Sequence, residues 1–274
     1  MTTPDYLFAS TQAKPEYERL QLIEAVFDGQ SQRRLLQTGL TGGWSCLEVG
    51  AGAGSITRWL AAIAGDSGQV TALDRDTRFL KGALPGSVQV IEGDICTEEL
   101  PAASFDLIHA RFVLIHIPTV EVALEQMVRL LKSGGWLVLE EPDFLAARPA
   151  GMTADLGGSI TPETLTTAMT RVNQAILQTF VDRGIDPAVS LQLPQRLETL
   201  GLRVQTVDNH APLVRGNSAM AQIMARSARQ LATLYTATGK ASPLDVEHYC
   251  QYAQNSHTWA IYHGIVGIQA QAHL

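Results

Sequence analysis

The sequence predicts an α/β fold, a doubly wound and mostly parallel seven-stranded sheet with a helical lid. Three observations predict it. Between Trp44 and about Glu141, short apolar β-rich runs alternate with helical patterns, as βαβ units do in a parallel sheet covered on both faces. The first run leads into Gly50-Ala51-Gly52-Ala53-Gly54, at the strand end where such a sheet keeps its ligand crevice. After Pro142 the rhythm changes to helical stripes too long to be ordinary connections within a sheet.

Taken in order, Glu16 to Phe27 sets Tyr17, Leu20, Glu24 and Phe27 on one face of a helix that covers the sheet edge or simply packs. Ser45–Val49, Gln69–Leu73, Val88–Glu92, Phe105–Ala110 and Trp136–Glu141 read as strands one to five, and a helix begins near Ile56. Thr119 to Leu131 repeats Val120, Leu124, Met127 and Leu131 at helical spacing, and Ser133-Gly134-Gly135 is expected to stop it. Thr161 caps a helix with Pro162 at its first position, the stripe being Leu165, Met169, Val172, Ile176 and Phe180 and the stop Gly184. A short helix with Pro194, Leu197 and Leu200 leads through Gly201 to a β-rich stretch, Leu202 to Val207. Asn217 or Ser218 precedes a stripe of Met220, Ile223, Met224, Ser227, Leu231 and Leu234, and Ser242-Pro243 with Asp245 forms a capping box ahead of Tyr249 and Tyr252. Thr258 to Ala270 is expected as one closing strand that sets His257 and His263 on one face. We read residues 1–274 as a single domain: cover helices at 1–43, a ligand-holding half at 44–141, and a substrate half at 142–274 with lid helices at about 161–185 and 216–256.

Composition narrows the function. The chain has 274 residues, of which 46% are hydrophobic, and 20 Lys and Arg stand against 27 Asp and Glu. The net charge of −7 with no basic stretch argues against a nucleic-acid partner. Met1 to Ser10 shows no basic segment followed by an apolar one, and no window suits a membrane helix, so a soluble, cytoplasmic protein is expected. Cys46, Cys96 and Cys250 are odd in number and far apart, which predicts buried free thiols; seven scattered histidines and no ligand spacing predict no metal.

The glycine loop implies a nucleotide-like ligand, because glycine tolerates positive φ and lets a ligand approach backbone amides at a helix start. A dinucleotide is one candidate, with Asp74 suited to a ribose. Glu48 before the first glycine and Ser55 at the sixth loop position favour another, since a carboxylate repels pyrophosphate but attracts ammonium and sulfonium charges. In order and spacing, Glu48-Val-Gly-Ala-Gly-Ala-Gly54, Leu73-Asp74, Glu92-Gly93-Asp94-Ile95, Phe105-Asp106-Leu107-Ile108 and Leu130-Leu-Lys-Ser-Gly-Gly135 resemble the motifs of class I S-adenosylmethionine-dependent methyltransferases. The resemblance covers residues 44 to 141 and implies the Rossmann-like methyltransferase fold with S-adenosylmethionine as cofactor. It implies that Glu48 and the loop residues Gly50, Ala51, Gly52 and Gly54 hold the methionine part, and that Asp74 takes the ribose hydroxyls. It further implies that Arg75 flanks adenine, that Asp94 accepts from its amino group with Ile95 packed nearby, and that Arg111 lies beside the cofactor.

Methyl transfer is an in-line displacement, in which the protein aligns the acceptor, excludes water and, where needed, takes a proton. His116 in Leu114-Ile115-His116-Ile117-Pro118 is similar to the base of antibiotic-sugar O-methyltransferases, with Ile115 replacing their preceding histidine. Glu141 falls where those enzymes carry an assisting carboxylate, with Glu140 and Asp143 as competitors. Tyr17, Asp143, Met169, His210, Met220 and Met224 are candidates for contact with the acceptor. The expectation is methylation of an oxygen or nitrogen of a small, fairly apolar specialised metabolite, by a monomer or homodimer that binds no membrane. The alternatives are a non-methylating enzyme that binds the same cofactor, such as a cyclase, a nicotinamide oxidoreductase, or a non-catalytic partner subunit.

Overall fold

A computed structural model describes residues 7–8, 11–152 and 161–273; the reading of Met1 to Ser10 therefore lies outside the described residues except at Leu7 and Phe8. In chain order the elements are α1 (Ala13–Gln37), β1 (Ser45–Val49), α2 (Ser55–Ala64), β2 (Gln69–Asp74), β3 (Val88–Glu92), β4 (Phe105–Arg111), α3 (Val120–Leu130), β5 (Leu131–Asp143), β6 (Arg148–Met152), α4 (Pro162–Val181), α5 (Val189–Thr199), β7 (Leu202–His210), β8 (Val214–Arg215), α6 (Ala219–Gln230), α7 (Ala232–Ala237), α8 (Pro243–Gln254), β9 (Thr258–Ile261) and β10 (Gly264–Ala272). They fall into two compact units. A sheet unit holds Phe27–Glu141, Val189–Asn209 and Val266–Leu274; a helical unit holds Met1–Val26, Pro142–Ala188 and His210–Ile265. The predicted ligand-holding half lies wholly in the sheet unit, whereas residues 142–274 are shared between the two.

The sheet unit is built on seven strands in the order β3-β2-β1-β4-β5-β10-β7. Strands β1 to β5 pair in parallel. The end of β10 meets the start of β5, where the Gly134 amide donates to the His273 carbonyl, so β10 runs against β5. Parallel register sets Cys46 opposite Leu107 and Glu48 opposite His109, and Leu107 opposite Trp136. Neighbours in register share a face of the sheet. The first half of that face is apolar: Cys46, Leu107 and Val138 pack with Leu35 of α1 and with Ile56, Leu60 and Ala64 of α2. Its second half, toward the strand ends, carries the charged residues.

Two expectations about this unit are corrected. The helix over 119–131 ends at Leu130, and Leu131 is already extended, so Ser133-Gly134-Gly135 lies inside β5. The pairing slips between Phe105 and Leu107, and a Cβ on Gly135 would come within 3.0 Å of the Phe105 carbonyl, which is why the irregular stretch takes glycine. The first helix is also longer than Glu16 to Phe27, and its buried residues are Glu16, Arg19, Phe27, Ser31, Arg34 and Leu35, while Tyr17 is 41% exposed. Charged groups are buried there because they are paired, Arg19 with Glu16 at 2.7 Å and Arg34 with Glu140 at 2.8 Å.

In the helical unit α8 packs against α4 and α6. The expected start signals are present: Thr161 accepts from the Thr164 amide, Ser218 from Ala221, and Ser242 and Asp245 complete a reciprocal capping box. A small antiparallel sheet, β6-β9-β8, was not foreseen. Pro149 and Gly151 in β6 are poor strand formers, and β8 is two residues long. The Tyr252 hydroxyl ties this sheet down, donating to the Gly151 and Trp259 carbonyls. The expected single strand Thr258 to Ala270 is in fact broken at Tyr262-His263, with β9 in the small sheet and β10 in the large one. His257 is consequently exposed while His263 is buried, and the two do not share a face of one strand. Cys46 and Cys250 are buried and Cys96 partly exposed, all three free. Among the described residues no helix is long and apolar enough to cross a membrane.

Candidate functional site

The site begins where β1 ends. Gly50, Gly52 and Gly54 all have positive φ, at 71°, 58° and 84°, so three left-handed steps in five residues fold the loop back before α2 starts at Ser55. A Cβ on Gly50 would lie 2.3 Å from Val113 Cγ2, and one on Gly54 would lie 2.9 Å from Leu84 Cδ2. No side chain caps α2, so its first amides keep their donors for a ligand.

Asp74, at the end of β2, accepts from the Gly52 amide at 2.8 Å and from the Asp76 amide at 2.9 Å. Burial pushes its carboxyl up to about 6, and the two amides only partly oppose this. Asp94 follows β3, with Oδ1 accepting from the Cys96 amide at 2.9 Å and Oδ2 3.8 Å from Arg75 Nε. Arg75 and Asp94 are thus brought together beside buried Ile95. Arg111 closes β4 and donates to Ser31 Oγ and Asp28 Oδ1, at 2.8 and 3.0 Å. Asp28 also accepts from Ser55 at the start of α2, so this arginine joins α1 to the loop.

Glu48 is 4% exposed and enters a row of charges that the sequence reading did not anticipate. Its Oε2 accepts from Thr57 Oγ1 of α2 at 3.0 Å, and its Oε1 lies 3.6 Å from His109 Nδ1. His109 Nε2 lies 3.3 Å from Glu140 Oε1, Glu140 Oε2 accepts from Arg34 at 2.8 Å, and Arg34 reaches Asp208 at 2.5 Å. Burial alone would lower the His109 pKa, but the hydrogen bond to Glu140 and the charges of Glu48 and Glu140 outweigh it and raise it to about 9. Glu140 goes the other way: burial disfavours its charge, yet His109, Arg34 and Arg111 hold its pKa below the usual carboxylate range.

After β4 the chain turns sharply. Phe112 takes φ +57°, packs edge-on against Phe27 with ring centroids 5.0 Å apart, and leads into a single 3₁₀ turn, Leu114–His116. Glu141 is fully buried beneath that turn and accepts from three successive amides, Val113, Leu114 and Ile115, at 2.9, 2.8 and 3.1 Å. Burial raises its pKa to about 7 against the pull of those amides. The resemblance implies that Glu141 is an assisting carboxylate; in the structure its two oxygens are engaged by the backbone that carries His116. Glu48, Gly50, Ala51, Gly52, Gly54, Asp74, Arg75, Asp94, Ile95, Arg111, His116 and Glu141 thus all belong to one unit, set on strand ends and the turns after them.

A family profile described as a methyltransferase domain matches residues 47–139, from the end of β1 to the end of β5. Residues 47–139 resemble a methyltransferase domain in sequence.

Curated relatives match part of the chain as well. Methyltransferase str3 of Strobilurus tenacellus is 32% identical over 103 residues, 37% of this chain and 36% of the relative. The ubiquinone/menaquinone biosynthesis C-methyltransferase UbiE of Ectopseudomonas mendocina is 33% identical over 113 residues, 38% of this chain and 44% of its own. The demethylmenaquinone methyltransferase of Staphylococcus aureus is 31% identical over 133 residues, 46% and 55% respectively. The chain therefore spans between about a third and just over half of the curated relatives it matches. Among solved structures, a Haemonchus contortus phosphoethanolamine N-methyltransferase 2 with bound S-adenosyl-L-methionine superposes with TM-score 0.62 at 16% identity, over 100% of this chain and 60% of that one. The [4+2]-cyclase SpnF superposes with TM-score 0.55 at 19% identity, over 90% and 81%. At those identities they share the fold.

The remaining candidates lie in the helical unit, outside the matched residues. Met169 of α4 and Met220 and Met224 of α6 are buried there, and Asp143 accepts from the Leu145 amide at 3.0 Å. Tyr17 and His210 are exposed. Among the described residues no group of three His, Cys, Asp or Glu that could hold a metal ion is found. His109 and Arg34 were missed, although one signal existed: His109 stands between apolar Ile108 and Ala110 in the fourth strand and faces the motif carboxylate in parallel register.

Proposed function

We propose that this chain is an S-adenosylmethionine-dependent methyltransferase that methylates an oxygen or nitrogen of a small, fairly apolar acceptor. The observation that carries the reading is the Glu48 to Gly54 loop with Asp74 hydrogen-bonded to Gly52 at 2.8 Å: three left-handed glycines, an uncapped helix start and two carboxylates. This donor set fits a ligand with an ammonium group and a ribose and no phosphate, because Glu48, just before the first glycine, would repel a pyrophosphate. The cofactor supplies an electrophilic methyl group. In this reading Glu48 and the loop amides take the amino-acid end, Asp74 the ribose hydroxyls, and Arg75, Asp94 and Ile95 the adenine. His116 removes the acceptor's proton. Glu141 acts through the backbone, as a positioning residue that fixes the turn on which His116 sits.

The acceptor class rests on the apolar helical stripes after Pro142. A relative named for carbon methylation matches only 38% of this chain and 44% of its own length, so it does not decide the acceptor atom. The cyclase likeness keeps a second reading in view, in which the same cofactor assists a reaction without giving up its methyl group. Incubation with methyl-labelled cofactor and a panel of small phenols, alcohols and amines, read by mass spectrometry, separates them. Labelled product with matching S-adenosylhomocysteine supports methyl transfer; an isomerised acceptor with the cofactor intact supports the second reading.

A further inference from the structure

We propose that His109 is a positioning residue for the cofactor site, a doubly protonated imidazole between Glu48 and Glu140 that keeps Glu48 ionised and in place for the cofactor's ammonium group. The inference rests on the cofactor reading above and goes beyond it, to a residue no motif contains. Its basis is geometric. The ring is fully buried in β4, with Nδ1 3.6 Å from one carboxylate and Nε2 3.3 Å from the other. A neutral imidazole has one N–H and one lone pair, and here that lone pair would face a carboxylate oxygen, so both nitrogens carry hydrogen.

The surrounding charges agree with this. From β1 the ring meets Glu48, whose other oxygen takes the Thr57 hydroxyl; from β5 it meets Glu140, whose other oxygen takes Arg34 of α1. Arg34 continues to Asp208, Arg111 on the same strand supports the charge of Glu140, and Glu141 lies next along β5. Glu48 in turn bears on Asp74 and Cys46. Within the buried row two carboxylates face two cations, and His109 is the cation nearest Glu48. Without it Glu48 would be a buried carboxylate held by one hydroxyl, and burial disfavours a charge with no partner. The raised pKa of His109, about 9, keeps the pair ionised through the neutral range.

The test compares two ligands that differ only at the end Glu48 is proposed to take. S-adenosylhomocysteine carries the amino-acid group, and 5′-methylthioadenosine lacks it. In the wild type the preference for the first over the second should be the same at about pH 6 and about pH 8, whereas in His109→Phe it should fall about tenfold at the lower pH and recover at the higher. 5′-Methylthioadenosine affinity should stay unchanged, and His109→Gln, which keeps one N–H donor, should restore part of the preference. An unchanged preference in His109→Phe at both pH values, with the wild type binding S-adenosylhomocysteine, overturns the positioning role and leaves the cofactor reading standing. Failure of the wild type itself to bind S-adenosylhomocysteine removes the cofactor reading, and this proposal with it. If His109→Phe does not fold, nitrogen-labelled histidine NMR of the wild type decides: both His109 nitrogens protonated from about pH 6 to 8 is the expected result, and one bare nitrogen at neutral pH overturns the proposal.

Discussion

Gly50 combines a left-handed backbone with a close neighbour, φ +71° and Val113 Cγ2 2.3 Å from where a Cβ would stand. Gly50→Ala should therefore destabilise the protein by about 1 to 3 kcal/mol, and should weaken cofactor binding because the loop must move. Gly29, inside α1 with open space where its Cβ would be, provides the control: Gly29→Ala should stabilise by about 0.4 to 1 kcal/mol. Urea titrations of the two variants check both signs, and equal effects would contradict the account of the loop. Residues of this kind were legible in the sequence because their chemistry is local: three spaced glycines, a carboxylate before them and Asp74 one strand later need no tertiary knowledge. His109 was not, since a lone histidine in a strand takes its meaning from Glu48 and Glu140, which arrive on other strands.

At the scale of elements, the turn after β4 is held by one carboxylate rather than by its own sequence. Glu141→Gln replaces an acceptor of three amides with a group that has one acceptor oxygen and an NH₂ facing donors. It should leave at least one buried amide unpaired, for a loss of about 1 to 3 kcal/mol, and hydrogen exchange at Val113, Leu114 and Ile115 should speed up. Unchanged exchange at those amides would mean that the turn does not depend on Glu141. Most elements could be read beforehand: β1 and β3 match their expected bounds, and the caps at Thr161 and Ser242 are where the sequence puts them. The small sheet could not, because β6 contains Pro149 and Gly151 and is held by pairing with β9 and the Tyr252 hydroxyl. The break at Tyr262-His263 was read through, since strand-forming residues stand on both sides of His263-Gly264 and nothing local says that the two halves pair with different sheets.

For the molecule as a whole, buried charges set the pH dependence of stability. His109 holds its proton more tightly folded than unfolded, with a pKa raised from 6.5 to about 9, so its contribution is full below about pH 6.5 and is lost as pH rises through about 9. Because the ring is fully buried, the loss over that window should be on the order of 3 kcal/mol, and His109→Phe should remove the slope. Asp74 and Glu141, raised to about 6 and about 7, likewise lower stability as pH rises through those values. Glu140, held below its usual range, works the other way, its contribution present above the unfolded value and lost on acidification. Thermal melts from about pH 5 to 9 should thus show falling stability toward the alkaline end; a rise would contradict the assigned protonation of the buried row. The central claim, that the loop and Asp74 form a cofactor site, is tested most directly by calorimetric titration with S-adenosylhomocysteine at fixed salt. The account predicts micromolar binding that Asp74→Ala weakens by roughly 1.5 to 3 kcal/mol, the size of a lost charged hydrogen bond. Absence of binding by folded wild-type protein, or binding that Asp74→Ala leaves unchanged, would contradict it.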